Sequence, residues 1–351
     1  MRYVITQKNW LGSILTLLLV IAGSRPAFTQ SALNAEDFTG KQIRLVVGSA
    51  PGGAYDSYAR SVAAHMPKHL PGNPKIVVQN MPGAGSLVAL NYIYNIAPKD
   101  GTVIAAVHSV AGTHPLYFPN RAKYDARKLN WLGSLLRERI VGVVWHTSPV
   151  QDFRDMLGTK ELIVASSSGS TTSFPSFTKS VLGAKLNIIK GYAASSAVML
   201  AMERGEVNGV IGMTYTALKI HGDRWSQEKK MKVFLQFGLS KHADLGDTPW
   251  IYDFARSDDE RAAMDLMFGT QEFGRPYLAP PDIPDRAKRT LRAAFERTAN
   301  DAEFRAEAKM RNLEVDFTPP EEISSILDKM YTASPETVAR VKEVLGDDAP
   351  Q

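Results

Sequence analysis

The 351-residue chain has no cysteine. That absence excludes disulfide staples, thiolate metal sites, a cysteine nucleophile and lipid attachment through cysteine, so core burial alone must hold the fold. Missing too are the G-x-x-x-x-G-K-[ST] phosphate loop, the H-E-x-x-H zinc helix and the G-x-S-x-G nucleophile elbow. The seven histidines (His65, His69, His108, His114, His146, His221, His242) show no metal-like spacing. His65 and His69 are four apart, but Pro67 between them ends the helix there. No Lys/Arg block reads as a nucleic-acid stripe, so nucleic acid is not an expected partner. The net charge of +5 owes much to Arg2, Lys8 and Arg25; beyond residue 32 there remain 38 basic and 36 acidic residues. No metal, cofactor or catalytic residue is expected.

What is present begins with an export signature. Arg2 and Lys8 precede an apolar run from Trp10 to Ala22, and small residues follow around Ala27–Ala32. Positive, apolar and small segments in that order read as a secretory signal over residues 1–32, cleaved near 27–32, with a periplasmic destination. A single membrane anchor is the other reading, but the run is shorter than the roughly 20 apolar residues that span a bilayer.

Past that segment one unit recurs: an apolar strand, a Gly/Ser/Pro loop, then a helix. Ile43–Val47 leads through Gly48-Ser49-Ala50-Pro51-Gly52-Gly53 into a helix over 54–66. Lys75–Gln79 leads through Pro82-Gly83-Ala84-Gly85-Ser86 into a helix over 87–96. Leu162–Ala165 leads through Ser166–Thr172 into a helix with Pro175 in its first turns, and Asn187–Lys190 through Gly191–Ala194 into 195–204. Further strands are expected at 102–107, 140–145, 207–211 and 231–237. Continuous β-branched strands alternating with helices indicate an α/β fold with mostly parallel sheets covered on both faces. So many strands at this length imply two lobes. Pro284, Asp301 and Pro319-Pro320 open three late helices, and Gly346 closes the last.

The loops carry the chemistry. A helix N-terminus offers unpaired N–H groups and a partial positive charge. Residues without bulk let an anion reach those donors. Pro51-Gly52-Gly53, Gly83-Ala84 and Ser168-Gly169-Ser170-Thr171-Thr172 supply that device three times. In open α/β sheets such loops gather at the carboxyl ends of the strands, where ligands bind. Ser49, Asp56, His108, Ser109, Tyr192 and Tyr215 complete the candidate set. Asp56 also suits the helix dipole, His108 could be structural, and the tyrosines serve either packing or a ligand's distal group. Arg137 and Arg139 read as hinge ion pairs, or as partners of a second carboxylate.

These loops resemble a known family. Pro51-Gly52-Gly53-Ala54-Tyr55-Asp56 with Ala59-Arg60 is similar to the P-G-G-x-x-D…A-R stretch of tripartite tricarboxylate transporter receptors, the Bug family. Pro82–Gly85 resembles the R-P-G-A-G-G element and Ala97–Thr102 the A-P-x-D-G-Y/T element. Gly169–Thr172 resembles G-S-T-T, and Gly205–Asn208 resembles G-E-V-D. Met81, Ser86 and Asn208 depart from that pattern, as does Ser49-Ala50 before the glycines.

The resemblance implies a two-lobe, type II periplasmic-binding-protein-like receptor that closes over a small carboxylate: a di- or tricarboxylate, an acidic amino acid or an aromatic acid. It implies delivery to membrane permease subunits, with no reaction catalysed and a monomer as the expected state. The expected lobes are residues 35–138 with 241–351, and 139–240. The competing classes are a sensory module for a membrane signalling protein and a periplasmic enzyme acting on a carboxylate. The enzyme would need a nucleophile–base pair or a metal.

Overall fold

The computed structural model describes Met1, residues 35–167 and residues 169–346, the side chains of Ile220 and Asp223 excepted. The expected signal over 1–32 and the candidate residue Ser168 lie outside the described residues.

The recurring unit forms as its residues dictate. Strand β1 (Gln42–Val47) passes through the glycine loop into helix α1 (Ala54–His65), and β2 (Lys75–Asn80) leads to α2 (Leu87–Asn95). Then come β3 (Val103–Ala106), the short α3 (His114–Tyr117) and β4 (Asn130–Ser134). The chain next enters β5 (Ile140–Trp145), α4 (Phe153–Leu157), β6 (Leu162–Ser166), α5 (Ser170–Leu182), β7 (Leu186–Lys190) and α6 (Ser195–Glu203). It continues through β8 (Gly209–Thr214), α7 (Tyr215–Gln227) and β9 (Met231–Phe237). After α8 (Asp258–Phe268) and β10 (Pro276–Ala279) the remainder is helical: α9 (Asp285–Ala299), α10 (Ala302–Met310), α11 (Pro320–Met330) and α12 (Pro335–Leu345). Asp301 caps α10 by accepting the N–H groups of Glu303 and Phe304, and Ser334 caps α12. Among the described residues no helix is long and apolar enough to cross a membrane.

Two five-stranded sheets result, ordered β2-β1-β3-β10-β4 and β7-β6-β8-β5-β9. The expected parallel arrangement holds for all but one strand of each. β10 runs against β3 and β4, and β5 runs against β8 and β9. The cause is connectivity. The chain crosses between sheets twice, leaving and entering at the carboxyl edges, so the first strand after each crossing must run back against its neighbours.

Buried side chains fill both faces of each sheet. Helix α9 packs on β4, and α10 on α1. Phe174, Phe177, Phe237 and Phe268 meet edge-on, ring centres 5.0–5.3 Å apart, joining the second sheet to α8. Arg256 and Arg340 both donate to the carbonyl of Val181 at the end of α5, and α12 packs on α5 and α8. Elements after residue 241 therefore touch both sheets, not the first alone.

Candidate ligand cleft

Strand register places the loops. Val47 lies between Asn80 and Ala106, so the segments after β1, β2 and β3 leave from one edge of the first sheet. In the second sheet Ser166 pairs with Lys190 and Val164 with Gly209, which gathers the segments after β6, β7 and β8. β4 ends at Ser134 beside Pro276, and residues 135–139 lead directly to Ile140, which pairs with Thr214 and Phe237. A five-residue crossing thus joins the two carboxyl edges. The return crossing packs beside it: Glu138 N–H donates to Gln271 C=O (2.8 Å) and Gly274 N–H to Leu136 C=O (2.7 Å).

A cavity of about 290 Å³ opens between the edges. Ala54 and Tyr58 of α1 and residues 312–314 line it on one side, Thr214, Thr216 and His221 on the other, with residues 136–139 and Arg275 between them; none of the candidate loop residues lines it. Arg137 donates to Glu322 (2.5 and 2.7 Å) and to Glu272 (3.1 Å), so its guanidinium is spent in ion pairs beside the crossing.

On the first sheet's edge, Pro51, Gly52 and Gly53 are exposed, and α1 begins after Gly53 with no side-chain cap. Gly53 has ordinary extended geometry (φ −78°, ψ 173°), whereas Gly52 is left-handed at φ +82°. Gly83, Ala84, Gly85 and Ser86 all have positive φ, a conformation costly for alanine and serine. Buried Ser86 pins this turn: its hydroxyl donates to Gly48 C=O and accepts His108 N–H, both at 3.0 Å. A Cβ at residue 48 would overlap Ser86 Oγ. The His108 ring stacks on Tyr55 (centres 4.2 Å, 9° between planes), and Arg275 lies over the other residue of that pair, 4.4 Å from the Tyr55 centre. Burial, then the Arg275 charge, pushes the His108 imidazole pKa down. Ser109 opens a tight turn over Ser109–Gly112. Ser49 Oγ is buried with no partner.

Asp56, expected among ligand-facing residues, faces its own loop instead. It is 2% exposed and accepts Gly52 N–H (2.8 Å), Arg60 Nε (2.8 Å) and Asn80 Nδ2 (2.9 Å). A buried carboxylate needs such donors, and the loop supplies them.

On the second edge the hydroxyls bond largely to one another. Ser166 Oγ meets Thr172 Oγ1 at 2.6 Å; Thr171 Oγ1 accepts Ser167 N–H at 3.0 Å; Ser170 Oγ donates to Gly212 C=O at 2.6 Å. Gly169 (φ +57°) turns the chain into α5, and a Cβ there would meet open space. Tyr192 reaches towards Glu206 (3.5 Å). Tyr215 sits in a separate hollow of about 250 Å³ with Lys219 over its ring. Both stay on the second row: Tyr192 N–H donates to Ser166 C=O (3.3 Å) and Tyr215 N–H to Arg139 C=O (2.8 Å). Sequence reasoning missed Tyr55, Ser86 and Arg275; Tyr55 and Ser86 sat inside the glycine motifs, while Arg275 precedes an unrecognised strand.

Residues 58–257 match the model of the tripartite tricarboxylate transporter family receptor. A UPF0065 protein of Bordetella pertussis is 30% identical over 105 residues, which is 30% of this chain and 32% of that relative, so the match spans about a third of its length. A TctC solute-binding protein from Polaromonas, solved without ligand, superposes at TM-score 0.67 with 16% identity, covering 87% of this chain and 97% of that one. MatC from Rhodopseudomonas palustris with bound malate gives 0.52 at 19% identity (87% and 98%). An R. palustris protein with adipate gives 0.54 at 16% (86% and 97%). The chain belongs to the tripartite tricarboxylate transporter receptor family.

Proposed function

We propose that this receptor is exported to the periplasm, captures a small carboxylate between its lobes and passes it, as a monomer, to membrane permease subunits. The lobes are residues 35–138 with most of 241–346, and 139–240. The observation that supports this reading is the strand register, which sets a loop row at the carboxyl edge of each sheet with residues 135–139 joining the two edges and a cavity of about 290 Å³ along that crossing. Helix N-termini on both rows offer backbone donors for an anion. The known ligands of two structural relatives, malate and adipate, belong to the same class. Ser49, Pro51–Gly53, Gly83, Ala84, His108, Ser109 and Gly169–Thr172 are the residues proposed to meet the ligand. Closure is a hinge equilibrium that ligand shifts.

Thermal-shift screening of the purified protein against carboxylates tests it. An authentic ligand raises the melting point, since it binds only the native state. Its dissociation constant should be about micromolar, or roughly −8 kcal/mol, tight enough to capture and weak enough to release. No shift with any di-, tri-, amino or aromatic acid would overturn the reading.

Thr171 and Thr172 allow a second check. Replacing both with alanine removes the partners of Ser166 and Ser167 and loosens the turn into α5. We expect a loss of about 1–2 kcal/mol in stability and roughly tenfold weaker binding, read by calorimetry. Unchanged affinity would remove the second row from the site.

A further inference from the structure

The cavity along the crossing shares no residue with the loops proposed to meet the ligand, yet three guanidinium groups lie on its wall: Arg137, Arg139 and Arg275. Two of them are spent. Arg137 is held by Glu322 and Glu272, and Arg275 by Glu138 at 2.7 Å. Arg139 is held loosely. Among the described residues its acidic partners are Asp244 at 3.4 Å and Asp316 at 4.0 Å, with side chains 52% and 39% exposed. Ion pairs of that length between exposed groups contribute little. The Arg139 Nε is buried without a partner, a condition that folded proteins seldom leave.

The helix beside Arg139 adds donors. Arg139 C=O accepts the N–H of Tyr215, the first residue of α7. Thr214 caps that helix, accepting Ala217 N–H at 3.2 Å and keeping its own hydroxyl proton to give. Thr214, Thr216 and Ala217 all line the cavity. The start of a 13-residue helix, with its partial positive charge, therefore borders the same space as Arg139. The rest of the wall is mixed. Ala54, Tyr58, Leu136 and Leu313 supply apolar surface, and Glu314 brings a negative charge.

We propose that this cavity is a second binding site, for a small monocarboxylate with an apolar body, whose carboxylate is taken by Arg139 and the first turn of α7. In taking it, the guanidinium exchanges two long contacts with aspartates that water can serve for charge-assisted bonds in a half-enclosed space. The wall limits the guest to one charge. Arg139 is the loosely paired cation that answers it, and Glu314 repels a second. A neutral molecule would leave Arg139 as poorly satisfied as before. The volume of about 290 Å³ lies at the small end of ligand pockets, which suits an acid of about six carbons. The inference stands apart from the receptor reading, because the two sites share no residue.

Calorimetry on the full chain with hexanoate and 1-hexanol, matched in carbon number, tests this. Hexanoate should bind one to one, and at least about tenfold tighter than the alcohol. Arg139→Gln should weaken hexanoate at least about tenfold. Ala217→Leu, which fills the cavity without altering a charge, should do the same. Replacing Thr171 and Thr172 with alanine should leave hexanoate binding unchanged, and whatever affinity adipate shows should survive Arg139→Gln. No binding of hexanoate overturns the inference, as does binding that survives both Arg139→Gln and Ala217→Leu. Hexanoate binding lost in the Thr171/Thr172 variant overturns it too, since the acid then sits on the second loop row. Should Arg139→Gln fail to fold, Ala217→Leu carries the test alone. Failure of every dicarboxylate to bind would sink the receptor reading and leave this one standing on the hexanoate result.

Discussion

Gly53→Val is expected to weaken carboxylate binding by about a hundredfold or more while changing unfolding free energy by no more than about 0.5 kcal/mol. The fold does not require glycine there. The backbone is in a region any residue adopts, and an added Cβ would find only Ala50 C=O, at an ordinary 3.7 Å. What the missing side chain preserves is access to the first N–H groups of α1. A branched side chain would hold an anion off them, and two lost hydrogen bonds to a charged group, at about 1.5–3 kcal/mol each, suffice for the expected loss. Gly52→Val provides the contrast. At φ +82° a β-branched residue is strained by about 1–2 kcal/mol, and the Gly52 N–H is part of the Asp56 network. That variant should lose both stability and binding. Calorimetry and thermal denaturation, run side by side, separate the cases. Normal binding by Gly53→Val would remove this loop from the site.

Much of the architecture could be read before any coordinates. The repeated strand–loop–helix units, the start of α1 at Ala54, the Pro175-bearing α5 and the Asp301 cap all follow from local chemistry. β4 (Asn-Trp-Leu-Gly-Ser) and β10 (Pro-Tyr-Leu-Ala) were not legible, because neither contains a β-branched residue. Only pairing with distant neighbours makes them strands, and β10 is the reversed strand that the crossings impose. The loops themselves were legible as motifs, but the destination of their side chains was not. Seven hydroxyls over 166–173 suggested a ligand, yet Ser and Thr bond readily to nearby backbone and to each other. Ser166 with Thr172, and Ser170 with Gly212, do so here. His108 was found from its strand end, while its partner in stacking, Tyr55, and the Arg275 that covers Tyr55 depend on a contact 220 residues long in sequence.

Asp56→Ala should lower the unfolding free energy by about 1–3 kcal/mol at neutral pH, because it removes the buried acceptor shared by the Gly52 N–H and the Asn80 amide. Arg60, half exposed, returns to water and adds little. The pH dependence identifies the carboxylate as the cause. The hydrogen bond from Arg60, with those from Gly52 and Asn80, holds its pKa down to about 2 against an ordinary 3.8. A depressed folded-state pKa contributes stability that is complete above the unfolded value and lost as pH falls through the folded one. Between about pH 4 and pH 2 the unaltered protein should therefore lose more stability than the alanine variant, and the two urea-denaturation curves should converge. Binding should weaken as well, although this carboxylate does not face the cleft, because Asn80 also ties the Ser49 carbonyl (3.0 Å) and the whole turn relaxes with it. The two effects must appear together. An Asp56→Ala protein as stable as its parent at pH 7 but unable to bind acids would mean that Asp56 meets the ligand directly, and that the loop is braced by something else.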